Sequence, residues 1–456
     1  MTAVETVFER MQKCEDAPAI FFQGKETSYQ DLFERISTWD VELASYHVGQ
    51  GTVCAVFGDY TTDVSALLLA LLRRKAILVS LIRAVEMEME ELHAIAGTEV
   101  MITFAEGSWR FEKHAPRALN PLVDDFRKLG DPGLIVFSSG STGKPKGILQ
   151  NCERVMRKFL QERKGWRTVL FLMMDHFGGF NTFLSAFAYG GTAVCVPDRN
   201  PAAVCAVIEE ARATLLPTTP TFLNLLRTSR VYQAHNLSSV ELVTYGTEVM
   251  TEATLSTLRS IFPQAAFKQR YGLSELGVLR SRSESDGSVW VQIGGDGFET
   301  KVVDGILWVR SESSMVGYLN APQPFDAEGW MCTGDHVEVR GEFMRILGRK
   351  SDAINVGGQK VFPAEIESVL LEVPNARAVT VSGQPHPVMG NIVVAGIVTD
   401  VPESIEALTV RLRKHCLARL ARFKVPVRFQ LIEQEVYSAR FKKLRAEVKG
   451  EIHGTT

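Results

Sequence analysis

The sequence predicts an α/β fold: a large, layered N-terminal α/β domain with a β-rich subdomain, followed by a small, mobile C-terminal α+β lid domain. Helical patterns such as residues 29–43 alternate with short β-branched runs such as residues 53–57, and this alternation is typical of layered α/β domains. Short alternating strands separated by Gly or Asp turns replace that pattern at residues 288–346. A new unit with its own helices and strands follows residues 348–352.

Further elements follow in order along the chain. In the large domain the pattern predicts a second helix at 65–73 and strands at 76–79, 134–137, 169–173, 192–196 and 242–245. Pro363 stands where the first turn of a helix tolerates proline, and the apolar residues after it share one helical face. The C-terminal unit then has predicted strands at 378–382, 392–398 and 427–432 and an amphipathic helix at 405–417. We therefore expect an N-terminal domain at 1–347, a hinge at 348–352 and a lid domain at 353–456.

Bulk properties exclude several classes of protein. A chain of 456 residues is too long for one hydrophobic core, and a net charge of −3 provides no basic field for nucleic acid. The seven cysteines show no CxxC pair and no metal-ligand spacing, which indicates a reduced, cytoplasmic protein. The N-terminus lacks the pattern of a signal peptide, and the longest apolar run, residues 64–72, is too short to span a membrane.

Residues 138–147 combine hydroxyl side chains, glycines and two lysines directly after the apolar run 134–137. Glycines let backbone N–H groups approach a polyanion, hydroxyls donate hydrogen bonds and lysines supply positive charge, so the composition indicates a phosphate-binding loop. It is not a Walker loop, because Gly140 and Gly143 are too close together and Lys144 is followed by Pro145. A flexible surface loop is the alternative for such residues.

A second segment with chemical character is Tyr-Gly-Leu-Ser-Glu at residues 271–275. Tyr271 can stack on a base, Ser274 can reach a phosphate and the carboxylate of Glu275 can hold magnesium. A turn that carries a solvated glutamate is the alternative for this segment taken alone.

Together these two segments resemble the signatures of the adenylate-forming superfamily: acyl- and aryl-CoA ligases, stand-alone adenylation domains and luciferases. The longest continuous similarity is residues 348–367, and the resemblance covers nearly the whole chain from about residue 18. Ser274 replaces the usual threonine and keeps the hydroxyl. The resemblance implies ATP and Mg²⁺ as cofactors, with Thr142 and Glu275 as magnesium ligands and as catalytic residues.

The resemblance also implies a nucleotide site that several segments build together. Residues 245–248 look like the adenine-contacting turn, Asp335 in a Thr-Gly-Asp turn is implied to accept both ribose hydroxyls, and Arg349 is implied as a second ribose contact. Taken alone, Thr-Gly-Asp is usually a simple turn. The residues implied to bind the nucleotide are Ser138, Ser139, Gly140, Ser141, Thr142, Gly143, Lys146, Gly246, Thr247, Glu248, Tyr271, Gly272, Ser274, Asp335 and Arg349.

The C-terminal unit is implied to carry a catalytic lysine and a moving loop. Lys442 is implied to orient the carboxylate and the α-phosphate, with Lys443 as the competing candidate and a solvated basic tail as the alternative. Ser351 falls at the hinge, where many relatives carry Asp or Lys. Gly357 and Gly358 are implied to enter the site in the second half-reaction, where a side chain would obstruct a thiol arm.

The expected substrate pocket follows the Asp-His pair at 175–176. His176 falls where amino-acid-activating relatives carry the aspartate that pairs with the substrate ammonium, which argues against an α-amino acid, although Asp175 lies next to it. An isolated histidine is more often structural than catalytic. The rest of the pocket is expected to be apolar, which favours an aryl or medium-chain acid, and is formed by Phe177, Phe180, Leu273, Leu276 and Val278.

The function implied is ATP-dependent activation of a carboxylic acid to an acyl-adenylate, followed by transfer to the thiol of coenzyme A. The alternative is transfer to a free acyl or peptidyl carrier protein, because little sequence remains after the lysine motif for a fused one. A non-catalytic paralogue that binds an acid is disfavoured, since Glu275, Asp335 and Lys442 are all present. No nucleic-acid partner and no membrane span are expected.

Overall fold

The computed structural model describes residues 1–83, 88–105, 107–114, 120–139, 144–295 and 297–433. In these residues the α-helices are α1 (Ala3–Gln12), α2 (Tyr29–Ser45), α3 (Thr62–Arg73), α4 (Met89–Ala96), α5 (Pro121–Arg127), α6 (Cys152–Met156), α7 (Phe177–Ala188), α8 (Pro201–Ala211), α9 (Pro220–Ser229), α10 (Glu252–Ile261), α11 (Pro363–Leu370) and α12 (Ile405–Arg419). Short 3₁₀ turns lie at Arg157–Phe159, Val231–Ala234, Lys350–Asp352 and Arg422–Lys424.

The strands of the large domain fall into two groups along the chain. The first group is β1 (Pro18–Phe22), β2 (Lys25–Ser28), β3 (Val53–Phe57), β4 (Ile77–Leu81), β5 (Val100–Ala105), β6 (Ser108–Lys113), β7 (Gly133–Ser139), β8 (Pro145–Asn151), β9 (Arg167–Val169), β10 (Thr192–Val194), β11 (Leu215–Thr218), β12 (Leu242–Tyr245) and β13 (Ala266–Gln269). The second group is β14 (Gly272–Leu273), β15 (Gly277–Val278), β16 (Ser281–Ser283), β17 (Val291–Ile293), β18 (Phe298–Val303), β19 (Ile306–Ser311), β20 (Gly317–Tyr318), β21 (Met331–Arg340) and β22 (Phe343–Arg349). The C-terminal strands are β23 (Ile354–Val356), β24 (Gln359–Val361), β25 (Ala376–His386), β26 (Gly390–Thr399) and β27 (Arg428–Leu431).

Two seven-stranded sheets organise the large domain. The first has the strand order β13-β12-β11-β9-β10-β1-β2 and is parallel apart from the β1–β2 pair. The second has the order β20-β8-β7-β4-β3-β5-β6, with a parallel centre and antiparallel edges. One hydrophobic core, to which α1, α2, α3 and α7 contribute, joins the facing sides of the two sheets. Helices α8 to α10 cover the outer face of the first sheet, and α4 and α5 cover that of the second, so the domain has five layers.

Helix α3 contains the longest apolar run of the sequence. Residues 64–72 are all buried, because this helix lies between the two sheets and meets protein on every side. The described part of the chain contains no helix long and apolar enough to cross a membrane.

The β-rich segment and the C-terminal unit form separate sheets. Strands β16 to β19, β21 and β22 make a six-stranded antiparallel sheet in the order β16-β17-β22-β21-β19-β18 over its own core. The C-terminal strands form a five-stranded sheet, and α11 and α12 pack on it. Pro363 is the first residue of α11, as its position in the sequence predicts.

The predicted fold class is confirmed, and most predicted elements are present within one to three residues at each end. The strand predicted at 169–173 is wrong beyond its first residue, since β9 ends at Val169. Strand β9 lies between β10 and β11, and its partner β10 also ends early, at Val194 opposite Val169. Apolar composition alone does not reveal the length of a partner strand.

Candidate functional site

The carboxyl ends of β12 and β13 bring two candidate segments together. These strands pair in parallel with Tyr245 opposite Gln269, so the segments that follow them leave the sheet at the same edge. The backbone N–H of Arg270 donates to the Tyr245 carbonyl at 2.7 Å. The turn at 246–248 and the loop at 271–275 therefore start side by side.

Glycine is required where these two segments cross. A Cβ on Gly246 would lie 2.5 Å from the Arg270 carbonyl oxygen, and a Cβ on Gly272 would lie 2.6 Å from the Gly277 carbonyl oxygen. Thr247 has a φ of 70°, a left-handed conformation that is strained for a β-branched residue. The Glu248 side chain accepts a hydrogen bond from the Thr221 backbone N–H at 3.1 Å, which ties this turn to the start of α9.

Glu275 is fixed by neighbours from two other elements. The Tyr318 hydroxyl donates to Glu275 Oε1 at 2.7 Å, and burial together with the glutamate raises the pKa of Tyr318. The Lys146 ammonium lies 5.2 Å from the centre of the Tyr318 ring, in reach of a cation–π contact. Strand pairing explains the arrangement, because β20, which carries Tyr318, pairs with β8, which carries Lys146.

The predicted phosphate-binding loop joins β7 to β8. Ser138 pairs with Lys146 and Ser139 pairs with Pro145 in this antiparallel hairpin. The tip of the hairpin, with Gly140, Ser141, Thr142 and Gly143, lies outside the described residues. The Gln150 amide of β8 donates to the Ser274 carbonyl at 2.5 Å, so the hairpin is attached to the loop at 271–275.

A second polar cluster surrounds Asp335. The Tyr271 hydroxyl donates to Asp335 Oδ2 at 2.5 Å, and Arg349 Nε lies 3.4 Å from Asp335 Oδ1. Burial raises the pKa of the Asp335 carboxyl, while the Tyr271 hydrogen bond and the Arg349 charge oppose that rise. Burial and the nearby carboxylate raise the pKa of Tyr271 well above its ordinary value, so this hydroxyl stays a donor at neutral pH.

The predicted pocket residues divide into two sets. Phe177 and Phe180 are buried in the core between the two sheets, where Phe180 contacts Phe183. Leu276 is also fully buried, whereas Leu273 and Val278 on the β14–β15 hairpin remain half-buried. His176 is the N-terminal capping residue of α7, and Asp175 before it is buried.

In the C-terminal unit, Gly357 and Gly358 form the tight turn between β23 and β24, with φ angles of 56° and 86°. Ser351 is exposed on the 3₁₀ turn Lys350–Asp352, and its hydroxyl donates to Asp352. Lys360 of β24 approaches His336 Nε2 at 3.5 Å, so the C-terminal unit contacts the residue after Asp335. Lys442 and Lys443 lie outside the described residues.

Sequence reasoning missed Tyr318. The Tyr318 hydroxyl donates a hydrogen bond to Glu275, although the two residues are 43 positions apart in the sequence. The only signal is the Gly317-Tyr318 pair after a serine-rich turn, and nothing in that pair indicates a long-range partner.

Comparison with known proteins identifies the family. The "AMP-binding enzyme" family matches residues 82–319, which is more than half of the chain, and its C-terminal domain matches residues 365–442. The chain belongs to the AMP-binding enzyme family. The predicted membership of the adenylate-forming superfamily is thereby confirmed.

Relatives with assigned names are similar over different lengths. A long-chain-fatty-acid–CoA ligase, FadD13, of Mycobacterium tuberculosis is 29% identical over 321 residues, which cover 65% of this chain and 63% of that protein. The 2-succinylbenzoate–CoA ligase of Bacillus subtilis is 24% identical over 97% of both chains. The anthranilate-CoA ligase AuaEII, solved with anthranoyl-AMP, has the same fold, with a TM-score of 0.83 and 18% identity over 97% of this chain and 95% of that one.

Replacing Gly246 by alanine tests the close approach of the two segments. The new Cβ would push the Arg270 carbonyl away and displace Tyr271, and displacements of about 1 Å at such sites can reduce rates about 100-fold. We expect Gly246→Ala to weaken AMP binding, measured by isothermal titration calorimetry, about tenfold or more. Gly49→Ala is the matched control, because its Cβ would meet its nearest atom at 3.9 Å. Equal AMP affinity in both variants would contradict the argument.

Proposed function

We propose that this protein is an acid–thiol ligase. It activates an aryl or medium-chain carboxylic acid with ATP to an acyl-adenylate, releases pyrophosphate and transfers the acyl group to the thiol of coenzyme A. The observation that carries the proposal is that one loop joins two clusters of suitable chemistry. Its first residue, Tyr271, contacts Asp335, and its last residue, Glu275, contacts Tyr318 beside Lys146.

Each cluster has the chemistry for one part of the nucleotide. Asp335 lies within strand β21 rather than on the turn that the sequence suggests, and its backbone N–H donates to Thr333 Oγ1 at 3.1 Å. Its carboxylate is an acceptor of the kind that can hold ribose hydroxyls. Lys146 supplies positive charge on strand β8 of the hairpin whose tip contains Ser141 and Thr142. A nucleotide whose ribose contacts Asp335 would direct its phosphates along the loop towards Glu275.

Adenylation needs positioning and charge neutralisation more than proton transfer. The substrate carboxylate is already ionised, so its oxygen attacks the α-phosphorus while the bond from that phosphorus to the bridging oxygen of pyrophosphate breaks. Lys146, Thr142 and Lys442 are proposed to stabilise the charge that moves onto the phosphate oxygens. In the second step the thiol sulfur attacks the acyl carbon, AMP leaves, and the thiol proton is released.

The residues around Glu275 fit a magnesium ion held mainly by phosphates. Among the described residues no group of three or more His, Cys, Asp or Glu side chains could hold a metal. Magnesium usually takes one or two carboxylates together with substrate phosphates and water, so a single glutamate oriented by Tyr318 suffices. The bound ion would neutralise charge on the phosphate oxygens, and Thr142 is the proposed second protein ligand.

The C-terminal unit is proposed to rotate about residues 348–352 between the two steps. Such a rotation would withdraw Lys442 and bring the turn at Gly357 and Gly358 towards the acyl-adenylate. A Cβ on Gly358 would meet nothing within 4 Å, so this side of the turn is open to an incoming arm. The alternative acceptor, a phosphopantetheine arm on a separate carrier protein, would use the same turn.

Mass spectrometry of the purified protein tests the proposed reaction. Incubation with Mg-ATP and a pool of aryl, short, medium and long acids, with and without coenzyme A, should give AMP, pyrophosphate and an acyl-CoA. An acyl-adenylate that accumulates equally in both samples would favour a carrier protein as acceptor. Absence of nucleotide turnover with every acid would contradict the ligase proposal.

Replacing Tyr318 by phenylalanine tests the orientation of Glu275. Removal of the hydroxyl deletes a hydrogen bond to a charged group, a change of about 1.5 kcal/mol or more that corresponds to about tenfold. We expect the Mg²⁺ concentration for half-maximal ATP–pyrophosphate exchange to rise about tenfold, with little change in melting temperature. Tyr232→Phe on the 3₁₀ turn Val231–Ala234 is the control. A lower rate with an unchanged Mg²⁺ requirement would show that Tyr318 does not act through the metal.

Replacing Lys442 by alanine separates the two half-reactions. We expect Lys442→Ala to abolish adenylate formation, because the positive charge on the attacking carboxylate and α-phosphate is lost, while thioester formation from supplied acyl-adenylate continues. Lys443→Ala is the matched comparison. Equal loss of both half-reactions in Lys442→Ala would refute the assigned role, and an unaffected Lys442→Ala would transfer the role to Lys443.

A further inference from the structure

Lys158 is a half-buried cation beside α7. It lies on the 3₁₀ turn Arg157–Phe159, and its ammonium donates a hydrogen bond to the Asn181 side-chain carbonyl. The same ammonium is 5.2 Å from the ring centre of Phe159 and 6.0 Å from that of Phe177. A lysine held between aromatic rings and a single amide is poorly hydrated, so its charge needs compensation from elsewhere.

Helix α7 presents a polar face next to this lysine. Asn181 and Ser185 are four residues apart, so they lie on one face of the helix, and Tyr189 follows at its C-terminal cap. All three are half-buried, whereas residues 182–184 and 186–188 between them are fully buried. Helix α7 thus turns its aromatic side to the core, and its less buried side carries hydrogen-bonding groups.

Two further cations act on Lys158. Burial and the positive charges of Arg270 and Arg163 lower the pKa of Lys158 to about 7. Burial and the charge of Arg163 also lower the pKa of Arg270. The positive charges of Arg163 and Arg270 also act on the Tyr189 hydroxyl, at the end of the polar face. The charges of Arg10 and Arg280 act on it as well.

The cluster of Lys158, Arg163 and Arg270 lacks an internal counter-charge. Within the described ranges, none of these three side chains forms an ion pair with a carboxylate, and the charges acting on Lys158 are positive. By contrast, the buried Arg199 of the same domain is paired with Asp59 through both guanidinium nitrogens. Lys158 and Arg270 are half-buried, whereas Arg163 is exposed. Charges that are partly withdrawn from water are normally paired in proteins, so an anion from outside the protein is the natural partner of Lys158 and Arg270.

The position of the cluster indicates that its anionic partner is the acid substrate rather than an ion from the bulk solvent. Arg270 directly precedes Tyr271, and its carbonyl is the atom that approaches Gly246. Helix α7 contacts β15, which with β14 carries the half-buried Val278 and Leu273. The cluster therefore adjoins the nucleotide loop on one side and the expected acid pocket on the other.

We propose that Lys158, Arg163 and Arg270, with the polar face of α7, bind a second anionic group of the acid, so that the substrate is a dicarboxylate of which one carboxylate reacts with ATP. This inference rests on the proposed ligase function. The distal carboxylate pairs with Lys158 and Arg270, and Asn181 and Ser185 supply neutral hydrogen bonds beside it. A monocarboxylate of the same size, with a neutral group in place of the distal carboxylate, leaves the cations unpaired and is rejected. A site built for a polar group discriminates strongly against a substrate that lacks that group.

The test is ATP–pyrophosphate exchange by the full-length protein with matched pairs of acids. Each pair consists of an aryl or aliphatic dicarboxylate and its half-amide, which keeps the size and removes the distal charge. We expect kcat/KM for the best dicarboxylate to exceed that of its half-amide about 100-fold. Lys158→Met should lower this ratio about 10- to 100-fold through the dicarboxylate alone, and Lys158→Arg should restore part of it.

Lys164→Met is the matched control variant. Lys164 is an exposed lysine six residues further on, paired with Glu241, and its removal should leave the ratio unchanged. Melting temperatures of all variants show whether Lys158→Met remains folded. Stabilisation against heat by the dicarboxylate, present in the wild type and lost in Lys158→Met, gives a readout that does not depend on turnover.

Three results would overturn the inference while leaving the ligase function intact. They are equal turnover of half-amides and dicarboxylates by the wild type, an equal loss with both acids in Lys158→Met, and a raised KM for ATP in Lys158→Met with every acid. The third result would assign the cluster to the nucleotide phosphates. If no acid supports exchange, the ligase proposal fails, and absence of dicarboxylate stabilisation in the wild type would then reject the anion site as well.

Discussion

Parallel pairing of β12 with β13 is the constraint on which the candidate site depends. The pairing brings Gly246 and Arg270 to one edge of the first sheet, at a separation that leaves no room for a side chain on Gly246. From this crossing the loop at 271–275 reaches Asp335 with its first residue, Tyr271, and Tyr318 with its last residue, Glu275. A shift of one residue in the register of β13 would move every contact of that loop, because alternate residues of a strand face opposite sides.

Local chemistry made much of the fold and part of the site predictable. Repeating apolar patterns located α3, β3 and β12, and Pro363 marked the first residue of α11. The loop at 271–275 attracted attention because it has several side chains with functional chemistry within five residues. Asp335 did so as part of the short Thr-Gly-Asp segment. Tyr318 was not, because its role comes from the pairing of β20 with β8, and pairing between distant strands leaves no trace in either segment.

The sequence did not show which side of α7 faces the core. Phe177 and Phe180 suggested an apolar lining, yet both rings pack into the core between the sheets. The less buried side of the same helix carries Asn181 and Ser185, and Tyr189 follows at its C-terminal cap. The periodicity of apolar and polar residues along a helix is visible in its sequence, but that periodicity does not show which face packs on the core.

Strand β21 carries neighbouring residues with different partners. Asp335 bonds with Tyr271 on the large-domain side, while the next residue, His336, meets Lys360 and Phe362 of the C-terminal unit. Binding of a nucleotide at Asp335 and docking of the C-terminal unit against His336 would therefore be thermodynamically linked. If a nucleotide binds Asp335 more tightly in one orientation of the C-terminal unit, the bound nucleotide stabilises that orientation by the same free energy, so occupancy and domain orientation each report on the other.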